Sequence, residues 1–270
     1  MWYEDNTIYW WSEDKHPNLN EDASLMFCYM VSLNDIESLS SWDTSNAKLM
    51  TSMFYYNNLS TLTSLSRWDV SNATSLAGMF CYNDTLTSLE PLSNWNVSNV
   101  TNTTNMFAYL RNLESLDGLE TWNTSNVKYM RGMFFYAEKI QSLEPIRNWD
   151  TSNVTNFSIM FAYNNALSSL EPLRNWNVSS AINYGGMFNH CISLTSLQGL
   201  EKWNTSSAIS FGSMFHNCVN LMDASAISNW DISNVEILGY ICLIFQMMLQ
   251  LHKNIVHYQN LISKIGIQVR

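Results

Sequence analysis

Basic residues are scarce in this chain. Of its 270 residues, 13 are Lys or Arg against 23 Asp or Glu, a formal net charge of −10. Nucleic acid is therefore not an expected partner, because gripping phosphates requires a basic face. Cysteine is sparse as well, and Cys28, Cys81, Cys191, Cys218 and Cys242 form no CxxC pair, so no metal-ligand set stands at motif spacing. No P-loop, GxGxxG or nucleophile motif occurs, and neither an enzymatic activity nor a cofactor is expected. The start, Met1-Trp2-Tyr3-Glu4-Asp5, lacks the basic and apolar regions of a signal peptide. Such a start fits a cytosolic protein or a piece of a longer one.

What the chain does have is a period. Tryptophans fall at Trp42, Trp68, Trp95, Trp122, Trp149, Trp176, Trp203 and Trp230. Met-Phe pairs follow the first seven: Met53-Phe54, Met79-Phe80, Met106-Phe107, Met133-Phe134, Met160-Phe161, Met187-Phe188 and Met214-Phe215, with Met26-Phe27 ahead of them. A register held this long marks a repeat array, in which each unit packs mainly on its neighbours. One elongated domain replaces the one or two globular domains that the length would otherwise suggest.

Within a repeat, apolar residues come every third position before the Trp, as in Leu86, Leu89, Leu92 and Trp95. Glu90-Pro91, Asp117-Gly118, Glu144-Pro145, Glu171-Pro172 or Gln198-Gly199 interrupts them. Proline has no N–H to give a central strand, so a short strand is expected to end there. After the Trp, segments such as Trp95-Asn96-Val97-Ser98-Asn99 can bond their own backbone or cap a helix. Val100, Thr103, Met106, Phe107 and Leu110 then follow at helical spacing. The expected fold is an α/β repeat solenoid of about eight right-handed repeats. A parallel sheet is expected on one face and short helices on the other.

Two columns of residues are candidates for meeting a partner. Glu37, Glu90, Asp117, Glu144 and Glu171 stand five before the Trp. A solvated stripe is the simpler account of them. Tyr29, Tyr56, Tyr82, Tyr109, Tyr136 and Tyr163 stand three after the Met, and the column passes to His190 and Asn217. Such a ladder is first a structural one; exposed, it would suit a protein or glycan surface. Cys191 and Cys218 hold equivalent places in adjacent repeats and are read as small buried thiols, with a disulfide as the alternative. His190 and His216 beside them make a metal site conceivable, although loop positions on adjacent repeats explain them without metal.

The ends depart from the register. Residues 1–30 read as a degenerate capping repeat, with a strand at Ile8–Trp11, an aromatic cluster of Trp2, Tyr3, Ile8, Tyr9, Trp10 and Trp11, and a polar loop over Lys15–Asp22. The array proper spans 31–236, and 237–270 is a tail. There a Met-Phe pair is due at 241–242, but the chain reads Ile241-Cys242. Back-translating Tyr240 to Met248 and shifting the frame can restore Tyr-Met-Phe at that place. A frameshifted tail is favoured over a capping helix. A membrane anchor comes third, because the apolar run is shorter than the roughly 20 residues a span needs.

Trp95-Asn96-Val97-Ser98-Asn99-Val100-Thr101, followed by Met106-Phe107 and a Leu-x-Ser-Leu segment, resembles the repeat of BspA-family bacterial surface proteins, which are leucine-rich-repeat proteins. The lead-in from Ile8 to Phe27 is similar too, so the resemblance covers residues 8–236. The repeat here is one residue longer, and the family's signal peptide is missing. The resemblance implies a leucine-rich-repeat solenoid, placement at the cell surface or outside the cell, and non-enzymatic adhesion or binding of a protein or glycan. A passive spacer and an intracellular scaffold are the alternatives.

Overall fold

The structure, a computed structural model, describes residues 17–237 and the backbone of residues 2–4 and 7–9. The frameshift, capping-helix and anchor readings of the tail fall outside the described residues, as do Trp10 and Trp11 of the N-terminal aromatic cluster. Strands β1 (Trp2–Glu4) and β2 (Thr7–Tyr9) form an antiparallel hairpin. The expected strand at Ile8–Trp11 thus begins one residue earlier, and its partner is β1. The expected polar loop over Lys15–Asp22 is already part of the array from Asn18 onward: Asn18 bridges Asp43 and Asp22 bridges Leu49, both in parallel.

From there the chain is a solenoid of stacked rungs. A ladder of isolated parallel bridges runs Asp22, Leu49, Ser75, Asn102, Tyr129, Asn156, Asn183, Ser210, Ile237, with Asn18–Asp43 and Ser196–Asp223 outside it. This ladder lies in the segment expected to be helical, which corrects the sequence reading. Residues 100–110 contain no helix, and the segment before the Pro contains no strand. Instead, short 3-10 turns occupy Glu37–Ser41, Thr63–Leu65, Glu90–Leu92, Glu144–Ile146, Glu171–Asn175 and Ser225–Ile227. Proline at the first turn of such an element removes an N–H that had no partner there anyway, so Pro91, Pro145 and Pro172 start the turn.

The Met-Phe segment is built from consecutive tight turns. On one rung, Leu76, Gly78, Phe80 and Tyr82 donate their N–H groups forward to the carbonyls of Asn102, Thr104, Met106 and Ala108. The alternate N–H groups of Met79 and Cys81 fold back onto Leu76 and Gly78. This geometry puts two residues per rung in the left-handed region. One stands just before the Met, from Leu25 and Ser52 through Asn105 and Ile159 to Ser213; the other is the Tyr itself. A regular helical spacing of apolar side chains was therefore produced by a chain that turns every second residue.

The core runs unbroken through the rungs. Phe27, Phe54, Phe80, Phe107, Phe134, Phe161, Phe188 and Phe215 stack with centroids 5.3–6.0 Å apart and planes within 13°. Leucines from the three-residue period and the methionines fill the space around them, nearly all without exposure. Each Trp of the array is buried against this stack, and from Trp68 to Trp230 the indole donates to a carbonyl of the previous rung. Trp95 reaches Leu65 O at 2.9 Å and Trp122 reaches Leu92 O at 3.1 Å. A buried donor without such a partner costs about 1–3 kcal/mol, which explains why the large side chain at this place is Trp, with a carbonyl in reach.

Candidate functional site

The residue after each Trp makes an Asx turn rather than a helix cap. Asp43, Asp69, Asn96, Asn123, Asp150, Asn177, Asn204 and Asp231 each accept the N–H two residues on through Oδ1. Beside them, Asn72, Asn99, Asn126, Asn153 and Asn234 donate Nδ2 to the Ser carbonyl of the preceding rung. This polar edge is consumed by the fold.

In the acidic column, Glu37, Glu90, Glu144 and Glu171 each begin a 3-10 turn, and the N–H of Glu90, Asp117, Glu144 and Glu171 donates to a Ser hydroxyl two residues earlier. Glu144 pairs with Arg147 at 2.8 Å and Glu171 with Arg174 at 3.3 Å. Glu37, Glu90, Asp117 and Glu144 are exposed and Glu171 is half-exposed. Thr63 stands in the column between Glu37 and Glu90, so the negative stripe is interrupted. These contacts account for the carboxylates as turn-starting and paired surface groups.

The tyrosine column is a different object. Tyr82–Tyr109, Tyr109–Tyr136 and Tyr136–Tyr163 are stacked at 3.9, 5.0 and 4.1 Å, and Tyr163 stacks on His190 at 4.1 Å. Toward the N-terminal end the rings tilt, with Tyr29–Tyr56 at 5.6 Å and Tyr56–Tyr82 at 5.3 Å. Tyr29 is 66% exposed and Tyr56 44%, while Tyr82, Tyr109, Tyr136 and Tyr163 are half-buried. Tyr55 and Phe135 lean edge-on against the column from the neighbouring position, and the Arg111 guanidinium lies 5.9 and 5.8 Å from the Tyr109 and Tyr136 rings. Burial pushes the Tyr55 phenol up to about 12, and burial with the Tyr109 hydroxyl raises Tyr82 as well. These two hydroxyls stay protonated at neutral pH. All six predicted tyrosines therefore share one surface ridge.

Cys191 and Cys218 are buried thiols. They donate to the Phe161 and Phe188 carbonyls of the preceding rungs, both at 3.1 Å. Asn83 and Asn164 do the same work at the equivalent place, donating to Phe54 O and Phe134 O. Burial holds Cys191 well above the usual thiol range and pushes Cys218 up to about 12, so both are protonated thiols at neutral pH. His190 belongs to the aromatic column: Nδ1 donates to Asn189 and Nε2 accepts from Asn217 at 2.7 Å. Burial, then the nearby His216, lowers its pKa and keeps it neutral. Among the described residues no three His, Cys, Asp or Glu side chains come together as a metal site.

Sequence reasoning missed the column just before the Met. Gly78, Gly132 and Gly186 alternate there with larger residues. A Cβ at Gly132 would lie 2.1 Å from Asn105 Oδ1, and one at Gly186 would lie 2.9 Å from Ile159 Cγ2. The alternating glycines were the available signal: from Ser52 to Ser213, side chains in this column alternate with glycines into whose space they reach.

Geometry of this kind defines a repeat solenoid whose rungs are held by forward backbone hydrogen bonds and aromatic ladders. The chain belongs to the family described as "Mycoplasma protein of unknown function, DUF285", which matches residues 21–140, 82–196, 111–218 and 192–262. The overlapping matches reflect the repeats. No curated protein matches the chain. Among solved structures, a leucine-rich repeat protein from Bacteroides ovatus is similar at 12% identity and a TM-score of 0.25, over 80% of this chain and 71% of that one. Among the described residues no helix is long and apolar enough to cross a membrane.

Proposed function

We propose that this chain is a non-enzymatic binding segment of a cell-surface protein, engaging a protein or glycan through its tyrosine ridge. The observation that supports this reading is an aromatic column, exposed at Tyr29 and Tyr56 and half-exposed from Tyr82 to Tyr163, that runs over six rungs and is continued by His190. Tyrosine is enriched where proteins bind, because it adds a large amphipathic surface at low entropic cost. The acidic column supports the reading less well, since its members begin turns or pair with Arg147 and Arg174. Placement at the cell surface rests on the resemblance to BspA-type repeats.

The test is binding of the purified chain to immobilised extracellular-matrix proteins and to a glycan array. It is repeated with Tyr109→Asn/Tyr136→Asn. Asparagine already holds this left-handed position at Asn217, so the variant removes the rings without adding backbone strain. The expected result is a ligand whose affinity falls tenfold or more in the double variant while the melting temperature is nearly kept. Equal binding by both proteins would move the site elsewhere. Absence of any ligand would favour a passive spacer.

A further inference from the structure

The tyrosine ridge exposes only part of each ring, and that part decides what can bind it. From Tyr82 to His190 the rings lie nearly parallel. Successive planes, Tyr82–Tyr109, Tyr109–Tyr136, Tyr136–Tyr163 and Tyr163–His190, agree within 12°, with centroids 3.9–5.0 Å apart. Rings at these separations are in contact, so no third group enters between them. Tyr109, Tyr136 and Tyr163 therefore carry a neighbouring ring on each face. Yet Tyr82, Tyr109, Tyr136 and Tyr163 are all half-exposed, so what they turn to solvent is the ring rim and the hydroxyl. The hydroxyls act on each other in pairs, Tyr82 with Tyr109 and Tyr136 with Tyr163, which places them side by side along the ridge.

Face and rim differ in charge: the face of an aromatic ring is negative and its edge positive. The C–H groups of a sugar and the cations of a partner seek the face. Hydrogen-bond acceptors seek the rim and the O–H. A glycan lying along this stretch finds no open face at Tyr109, Tyr136 or Tyr163. Arg111 shows where a cation goes instead. Its guanidinium lies 5.9 and 5.8 Å from the Tyr109 and Tyr136 centroids, beside the pair of rings and not between them. There it is paired with Asp84 at 3.3 Å and Glu138 at 3.8 Å. An acidic glycan gains little from a guanidinium that two carboxylates already hold.

Given that the ridge is the binding site, we infer that its partner along Tyr82 to Tyr163 is a protein and not a glycan, met by the hydroxyls and ring rims. The surface this stretch selects carries neutral acceptors, backbone carbonyls and amide side chains, because rims and O–H groups attract them. The net charge of −10 opposes a partner rich in carboxylates. Stacking also fixes the rings before anything binds, so little side-chain freedom is lost on docking. Tyr29 lies outside this stretch: it is 66% exposed and tilted by 36° against Tyr56.

The test presents the full chain to a glycan array and to purified extracellular-matrix glycoproteins, each as isolated and after enzymatic removal of its glycans. Three double variants, their fold checked by melting temperature, are compared with the wild type. Tyr109→Phe/Tyr136→Phe keeps the stacked rings and loses the hydroxyls; Tyr109→Asn/Tyr136→Asn loses both; Tyr29→Asn/Tyr56→Asn alters only the tilted end. The expected result is binding that survives glycan removal, falls about tenfold in the phenylalanine variant as two hydroxyl contacts are lost, falls further in Tyr109→Asn/Tyr136→Asn, and is largely kept in Tyr29→Asn/Tyr56→Asn. Binding lost on glycan removal, or a glycan-array signal that either asparagine variant abolishes, overturns the inference while leaving the ridge as the site. Full binding by the phenylalanine variant, or loss confined to Tyr29→Asn/Tyr56→Asn, overturns it in the same way. Binding that neither asparagine variant weakens, or no binding at all, overturns the ridge as the site and this inference with it.

Discussion

Phe107 and Tyr109 lie two residues apart on one rung, and both stand in stacked columns, but different forces hold the two columns. Phe107 is fully buried, with neighbouring rings 6.0 and 5.8 Å away, and its backbone is unstrained. Tyr109 is half-exposed, its neighbours are 3.9 and 5.0 Å away, and its φ is 58°. The inner column is stabilised by removal of apolar surface from water. The outer one keeps part of its surface in water and stands on a backbone conformation costing an L-residue roughly 1–2 kcal/mol. The inner ladder therefore sets stability, and the outer ladder is a surface held in place by it. That division makes the tyrosine ridge replaceable without loss of the fold.

The comparison is broken most severely from the inside. Phe107→Ala leaves a hole between two rings that cannot move together without shifting rungs, and should cost about 3–5 kcal/mol in chemical denaturation. A loss below about 1 kcal/mol would mean that the inner column is not the main support. Trp122→Phe keeps the apolar bulk but removes the donor to Leu92 O. It should cost about 0.5–1.5 kcal/mol, the net worth of one buried hydrogen bond, because Leu92 O keeps the Trp95 N–H.

Changes on the outside should be smaller and should separate stacking from backbone strain. Tyr109→Asn loses stacking contacts of roughly 0.5–1.5 kcal/mol but places a residue that accepts the left-handed region. We expect a net change within about 1 kcal/mol. Tyr109→Ala loses the same stacking and keeps the strain, so it should melt below Tyr109→Asn. The reverse order would show that strain at this column is unimportant.

The smallest expected effect is in acid. The Ser152 hydroxyl and N–H hold the Asp150 carboxyl below its ordinary pKa. A depressed folded-state value means stability that is present above the unfolded pKa and is lost as pH falls through the folded one. Asp150→Asn keeps the Asx turn, as Asn96, Asn123 and Asn177 do in other rungs. Its melting temperature should fall slightly less than the wild type's on going from pH 6 to pH 3. An unchanged slope would remove Asp150 from the acid response.

The repeat, its period, the burial of Trp, Met, Phe and Leu, and the grouping of the tyrosines were all legible in the residues, because stacking repeats identical positions whatever the local backbone does. The polar segment after the Trp was also legible as a local turn, since Asp or Asn two residues before an N–H is a short-range signal. Secondary structure within the rung was not. Apolar side chains at Val100, Thr103, Met106, Phe107 and Leu110 suit a helix, but so does a chain of tight turns that brings the same side chains inward.

Only the tertiary structure decided between them. In this array each forward N–H of the Met-Phe segment meets a carbonyl 25 or 26 residues on, and those bonds between rungs outweigh the helical preference of any one segment. Once adjacent rungs supply the acceptors, the backbone at Tyr82, Tyr109 and Tyr136 must turn left-handed to reach them. Between Ser52 and Ser213 the residue before the Met then gives way on alternate rungs, at Gly78, Gly132 and Gly186. The sequence by itself determined that the units repeat and which faces they bury. Their contact determined the path of the backbone, because its hydrogen-bond partners lie in the neighbouring repeats.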